Sequence, residues 1–324
     1  MNHRNALRKT HRKAILLLLI MIALVSISPA QASAAGTGGE SRQLVDVAYD
    51  YPIVPGTAQW NSFTSRDERV AACHVDAELL ESMTTRALVE TVLTYPMLID
   101  MYAFNTLQEG IAQVSKDFAG ISILKERSDA VSCLEQYLAS AKQEKAAAES
   151  IELIYADDLI QYIDVNQQSS LSIFRYTPAT LYTPNGSAVS AYKNATWADN
   201  GTTYEAALAE HNQLRKVYPN AVAITIPNPK YNCHSYAWYS TSTTNSYWFD
   251  DPSAYMRDGS YTSHLAPKTG DKAYWNNGSH SGIVYGVGSG TQNPVTITSK
   301  WGYKGVFRHA SNDCPYDGSI SFWG

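Results

Sequence analysis

Tyr231-Asn-Cys-His-Ser-Tyr-Ala-Trp-Tyr239 is the stretch on which the reading of this chain turns. It follows Pro227-Asn-Pro229, where proline forces the preceding residue into an extended conformation. The next residues read as a helix start, with Asn232 able to cap it. A thiol in that first turn, Cys233, sits at the positive end of the helix dipole, which lowers its pKa and favours the thiolate. The free amides of the turn are placed to hold a developing oxyanion. These are the requirements of a nucleophilic cysteine, and such a cysteine needs a base.

Working outward, the base is His280. Gly270-Asp271 opens one strand, Asn276-Asn-Gly278 supplies a hairpin turn, and His280 stands at the mouth of the next strand. A His on a strand end is rigid enough to be aimed at a thiolate on a facing helix. Gly282, two residues on, leaves room for the helix to approach that strand closely. A third polar group should orient the imidazole. In the following strand Val295 and Ile297 alternate onto one face, and Ser299 is the polar residue that continues it. Lys300 and His309 are rivals, the latter returned by Gly305-Val-Phe-Arg-His309.

Blander readings compete at each position. The four cysteines form an even set that allows three pairings, among them Cys73–Cys133 with Cys233–Cys314, and a bridged Cys233 is no nucleophile. His234 adjoins the thiol, but neighbouring helical residues diverge by about 100°, which turns it elsewhere. Neither Cys73-His74 nor Cys233/His234/His280 has the ligand spacing of a metal site, and the chemistry needs no cofactor. Tyr247-Trp-Phe-Asp-Asp251 and Trp275 line a substrate cleft or, the blander alternative, pack as aromatics with a helix cap before Pro252.

Upstream the character differs. Residues 76–165 read as helix: Leu88, Thr91, Val92 and Tyr95 recur at i, i+3, i+4 and i+7. Asn105-x-x-Gln108 has capping-box spacing, and 128–164, free of Gly and Pro, predicts a long helix or a helix pair. Strands at 172–182 and 188–193 flank the turn Thr183-Pro-Asn-Gly-Ser187. Thr202-x-x-Glu205 predicts a helix over 206–217, and 221–226 reads as a strand. Residues 35–180 carry 10 basic and 21 acidic side chains, whereas 181–324 carry 10 and 9, with six of the seven Trp. The boundary falls near 168.

At the N-terminus, basic residues from Arg4 to Lys13 precede an apolar run and the A-x-A pattern of Ala30-Gln-Ala-Ser-Ala-Ala35. This is the layout of a secretory signal peptide over 1–34, too short in its apolar run for a membrane span. Its removal takes the net charge from −5 to −10, which argues against a dedicated nucleic-acid binder. With 44% hydrophobic and 17% charged residues over 324 positions, disorder is excluded, and four cysteines cannot staple a chain this long.

Asn-Cys233-His-Ser-Tyr-Ala-Trp, Gly270-Asp271-x-x-Tyr and His280-Ser-Gly-Ile-Val together resemble the NlpC/P60-type, papain-like cysteine hydrolases and the related cysteine- and histidine-dependent amidohydrolase/peptidase domains. The likeness covers roughly 168–324. It implies a Cys that opens a helix packed on a small antiparallel sheet, a His that starts the second core strand, and a polar group on the third. Cys233 and His280 match the pattern. At the third position those families often carry His, Asn, Gln or Glu, where this chain has Ser299-Lys300. Ser299-Lys-Trp-Gly and Asp313-Cys-Pro-Tyr316 are similar to an uncharacterised branch of the superfamily, and Tyr51-Pro-Ile-Val-Pro-Gly to secreted proteins of Gram-positive bacteria.

The expectation is therefore an α+β protein: signal peptide 1–34, acidic α-helical domain 35–167, papain-like cysteine hydrolase domain 168–324. The implied activity is amide hydrolysis by Cys233, His280 and Ser299, on a peptide or peptidoglycan-like substrate outside the cell. The alternatives are a glycan- or peptide-binding module with Cys233 in a disulfide, and an acyltransferase or protease using the same dyad.

Overall fold

Helix α4, Thr85–Leu93, shows how the N-terminal half is built. Thr84 caps it by accepting the Ala87 amide, and Leu88, Thr91, Val92 and Tyr95 are buried as their spacing predicts. Thr91 is tolerated in that apolar stripe because its hydroxyl bonds the Ala87 carbonyl one turn back, at 2.8 Å. The computed structural model describes residues 44–143, 150–164, 177–193, 196–197, 202–288 and 294–324. The proposed signal peptide and the compositional boundary near 168 lie outside the described residues. No helix among the described residues is long and apolar enough to cross a membrane.

Around α4 pack α1 (Ala58–Ser62), α2 (Arg66–Ala72), α3 (Ala77–Ser82), a 3-10 turn (Leu98–Ala103), α5 (Leu107–Asp117), α6 (Gly120–Lys125), α7 (Ala130–Gln143) and α8 (Ile151–Ile163). The stretch after 128 is thus a helix pair. The box that opens α5 is Thr106 with Glu109, one residue later than the spacing suggests. That frame buries Ile111 and Val114 together, so packing settles a choice the local signals leave nearly degenerate. Thr203, not Thr202, caps α9 (Tyr204–Val217) for the same reason, turning Ala207, His211 and Leu214 inward.

The strands form two antiparallel sheets. β1 (Thr177–Tyr182), β2 (Ala188–Lys193) and β4 (Tyr247–Trp248) make the smaller one. The larger has seven strands in the order β3-β9-β8-β7-β6-β10-β5, with β3 Val222–Ala223, β5 Ser263–His264, β6 Lys272–Trp275, β7 Ser281–Gly286, β8 Thr296–Trp301, β9 Gly305–Ala310 and β10 Ile320–Trp323. The strand expected over 221–226 is pared down to β3. A short helix α10 (Ser253–Arg257) completes the set.

Register assigns the sheet faces. Ala273, Gly282, Ser299 and Phe307 are cross-strand neighbours in one row. Ala273 and Phe307 share a hydrophobic core with Leu88, Leu98, Leu159 and Leu214 of the helices, so this row faces the helical layer. Tyr274, Ser281, Ile283, Lys300 and Val306 alternate onto the other face, under the Cys233 segment. The fold is α+β, and the chain from Arg42 to Gly324 forms one compact unit.

The helical region and the sheet, read from the sequence as domains 35–167 and 168–324, pack as two layers around a shared core. Helical stripes that would otherwise face water are buried by the sheet. Buried charge reinforces the seam. The Arg69 guanidinium bonds Asp313 at 2.7 Å and the Val217 carbonyl at 2.9 Å. Arg66 pairs with Asp100, which also accepts the Tyr218 hydroxyl.

Candidate active site

Asn232 does cap the segment that carries the thiol. Its Oδ1 accepts the Ser235 amide at 3.0 Å, and its Nδ2 donates to the Phe249 carbonyl at 2.9 Å. Cys233 and His234 are helical and lead into a π-helical turn, Ser235–Tyr239, marked by the Ser240 amide donating to the Ser235 carbonyl. π-turns are frequent at functional sites.

Cys233 is 2% exposed. The backbone N–H groups of Ser281 and His234 act in favour of the thiolate. Burial outweighs them and pushes the thiol up to about 12, and the Glu109 and Asp250 carboxylates add to the rise. The depressed pKa expected from the helix start is thus corrected: a short turn's dipole and two amides do not offset desolvation.

His280 lies opposite Trp275 and shares its face, towards the helices, because Tyr274 pairs with Ser281 and side chains alternate. The imidazole stacks on Tyr316 with ring centres 3.4 Å apart, and Trp275 meets it edge-on at 4.9 Å. Neither ring nitrogen has a hydrogen-bond partner among the described residues. Burial, then the charges of His309 and His234, hold its pKa well below the usual histidine range. The Cys233 and His280 side chains do not hydrogen-bond to one another.

Ser299 does not orient His280 either. Its hydroxyl accepts the Trp301 indole N–H at 3.1 Å and bonds His309 Nε2 at 2.8 Å, while His309 Nδ1 donates to the Ala310 carbonyl. That bond fixes the tautomer, so Ser299 is the donor to Nε2. Lys300 points to the other face, where Nζ donates to the carbonyls of Asn228 and Gly302.

His234, expected to face elsewhere than the thiol, is buried and bonds Ser281 Oγ through Nδ1 at 2.8 Å. Trp238 Nε1 donates to the same hydroxyl at 2.9 Å. His234 reaches β7 at the Ser281 hydroxyl, because the strand crosses under the turn. The only sequence signal was Ser281 itself, a hydroxyl beside His280.

Three further expectations resolve. A Cβ on Gly282 would lie 2.4 Å from Ile297 Cγ2 and 3.0 Å from Ser299 Cβ, so Gly282 makes room for the neighbouring strand and not for the helix. All four cysteines are free thiols, with neither Cys73–Cys133 nor Cys233–Cys314 formed. Trp248, Phe249 and Trp275 are packed in the interior, and Asp251 accepts the Ser253 amide at 2.8 Å. Of two surface clefts, one of about 370 Å³ beside Asp158 and Glu210 and one of about 440 Å³ beside Tyr49 and Tyr137, neither reaches Cys233, His280 or Ser299. Among the described residues no set of three His, Cys, Asp or Glu side chains is arranged to hold a metal ion.

The chain matches no family model, no curated protein and no solved structure.

Proposed function

We propose that the protein is an exported cysteine hydrolase of papain-like, NlpC/P60-type architecture, which cleaves an amide bond by acyl transfer to Cys233. One observation carries the reading: His280, buried with neither ring nitrogen partnered among the described residues, directly precedes Ser281, the strand residue to which His234, the neighbour of Cys233, is bonded. A buried imidazole with no partner is costly, and such groups mark places where a partner is supplied in another state. In the reaction His280 turns from Tyr316 and takes the thiol proton. The sulfur then bonds the substrate carbonyl carbon, the proton passes to the departing amine as the C–N bond breaks, and water cleaves the thioester. The substrate class that suits this reading is a peptide of the cell wall, and the site of action is outside the cell.

A second reading has its own support. A thiol 2% exposed and pushed up to about 12, beside a stacked imidazole, fits a closed, non-catalytic module whose Cys233 is a packing residue. Alkylation with iodoacetamide at pH 7, mapped by mass spectrometry, separates the two. The hydrolase reading expects Cys233 to be labelled, the label to block turnover of peptidoglycan fragments, and His280→Ala to abolish that turnover. Labelling of Cys133 alone, with no turnover of any amide substrate, would establish the binding module.

A further inference from the structure

The cleft of about 370 Å³ beside Asp158 and Glu210 is lined from α7, α8 and α9, away from Cys233 and His280. Its size falls in the range of small-molecule sites, roughly 300–1,000 Å³. The lining is of two kinds. Leu138, Leu153 and Ile154 are aliphatic, whereas Asp157, Asp158 and Glu210 bring carboxylates. Among the described residues no basic side chain lines it.

The carboxylates are held in ways that leave oxygens open. Tyr102 donates its hydroxyl to Asp158 Oδ2, and Gln161 donates to Asp157 Oδ2 at 3.0 Å. Glu210 lines the cleft although it is only 2% exposed. Its Oε2 pairs with Lys304, and its other oxygen has no partner among the described residues. An acceptor so buried and left without a donor is costly. Lys304 is fully buried and does not itself line the cleft. Three carboxylates thus share one ammonium. The shortage of positive charge shows at Asp158, which burial pushes up to about 7. The Tyr102 hydroxyl and Lys304 oppose that rise, while Glu210 and Asp157 add to it.

The kind of cation that fits follows from the spacing. No three of these acids are arranged to hold one metal ion, so the cation must reach them through separate donors. An ammonium group has three. Its stem can lie on apolar side chains while its head meets the acids, as lysine side chains do. We propose that this cleft binds a primary alkylammonium, from a small amine or a lysine side chain, with its head on the Asp157, Asp158 and Glu210 carboxylates and its methylenes on Leu138, Leu153 and Ile154. The groups that set the charge there are Asp157 and Asp158 of α8, Glu210 of α9, Tyr102 of the 3-10 turn and Lys304 of the turn between β8 and β9. A bound ammonium favours ionised Asp158, so binding releases a proton wherever Asp158 is protonated in the free protein.

The test is an NMR titration of the full chain, read at the amides of α8 and α9, with pentan-1-amine, Nα-acetyl-lysine amide, pentan-1-ol and pentanoate. At pH 8 the amine is expected to bind with a Kd of about 1–10 mM. It should bind at least about tenfold more tightly than the alcohol, with pentanoate excluded by its charge. Tighter binding of the lysine derivative than of the amine assigns a side chain of a peptide, and weaker binding assigns a free amine. An alcohol that matches the amine, or no shift with either amine, overturns the proposal. Asp158→Asn keeps an acceptor for Tyr102 and should weaken the amine about tenfold; an unchanged affinity overturns the role of the carboxylates. Should that variant fail to fold, wild type decides by pH. Affinity is expected to fall about tenfold from pH 8 to pH 6, because Asp158 takes up its proton near 7. A flat profile overturns the proposal. None of these outcomes bears on Cys233, so this site and the hydrolase reading stand or fall separately.

Discussion

The two faces of the seven-stranded sheet carry the same small device in different settings. On the face under the π-turn, the Trp238 indole donates to Ser281, and Ser281 bonds His234. On the face under the helices, Trp301 donates to Ser299, Ser299 bonds His309, and His309 bonds the Ala310 carbonyl. In both, a hydroxyl on a strand satisfies an indole and a neutral imidazole at once, which is how two polar rings are buried without orphaned atoms. The difference lies in what sits beside each device. Beside the first stands Cys233, the neighbour of His234 in the chain. Beside the second stands His280, which packs on aromatic rings and has no hydrogen-bond partner among the described residues.

The largest test of this comparison is at the seam between the helical layer and the rest. Asp313→Ala leaves Arg69 buried and unpaired, and is expected to destabilise the protein by about 3–5 kcal/mol in denaturant unfolding. A loss confined to the helical signal, with the sheet still folded, would show two independent domains after all.

Next in size are the two serines. Ser299→Ala and Ser281→Ala each orphan an indole N–H and an imidazole nitrogen, at about 1–3 kcal/mol for each group. The two losses should agree within about 1 kcal/mol if the devices are equivalent. A much cheaper Ser281→Ala would mean that the π-turn side admits water. Gly282→Ala forces its Cβ against Ile297 and is expected to cost about 1–3 kcal/mol. Ile297→Val should recover part of that loss in the double variant, measured by the same unfolding curves.

The smallest and sharpest test is titration. Burial lowers His234 and His309 to about 4 each, so both rings should stay neutral by NMR until the pH nears that value. The unfolded chain takes up these protons near 6.5, whereas the folded chain refuses them until about 4. Stability from these two groups is thus complete above 6.5 and falls as the pH drops through that window. Histidine-to-glutamine variants should flatten the decline. A ring that titrates near 6.5 in the native protein would show its face to be open.

The stripe of α4, the turns at Thr183–Ser187 and Asn276–Gly278, and the cap supplied by Asn232 were all legible from residue types a few positions apart. The caps of α5 and α9 were legible to within one residue, because Thr and Glu or Asn and Gln offered two adjacent frames. Cys233 and His280 could be placed at a helix start and a strand mouth for the same reason. Hydrogen-bond donors, turn formers and apolar periods act over one turn or one hairpin, and such short-range preferences are written directly into the chain.

What the tertiary structure alone decided was which way those side chains look and how their charges fare. Sheet register sent His280 towards the helices and paired Ser299 with His309, and a shift of one residue would have reversed both. Desolvation, which sums over everything packed around a group, outweighed the helix start and left Cys233 a protonated thiol. No local pattern carries such information, because the energy of a buried charge depends on the whole surround and not on its neighbours in sequence.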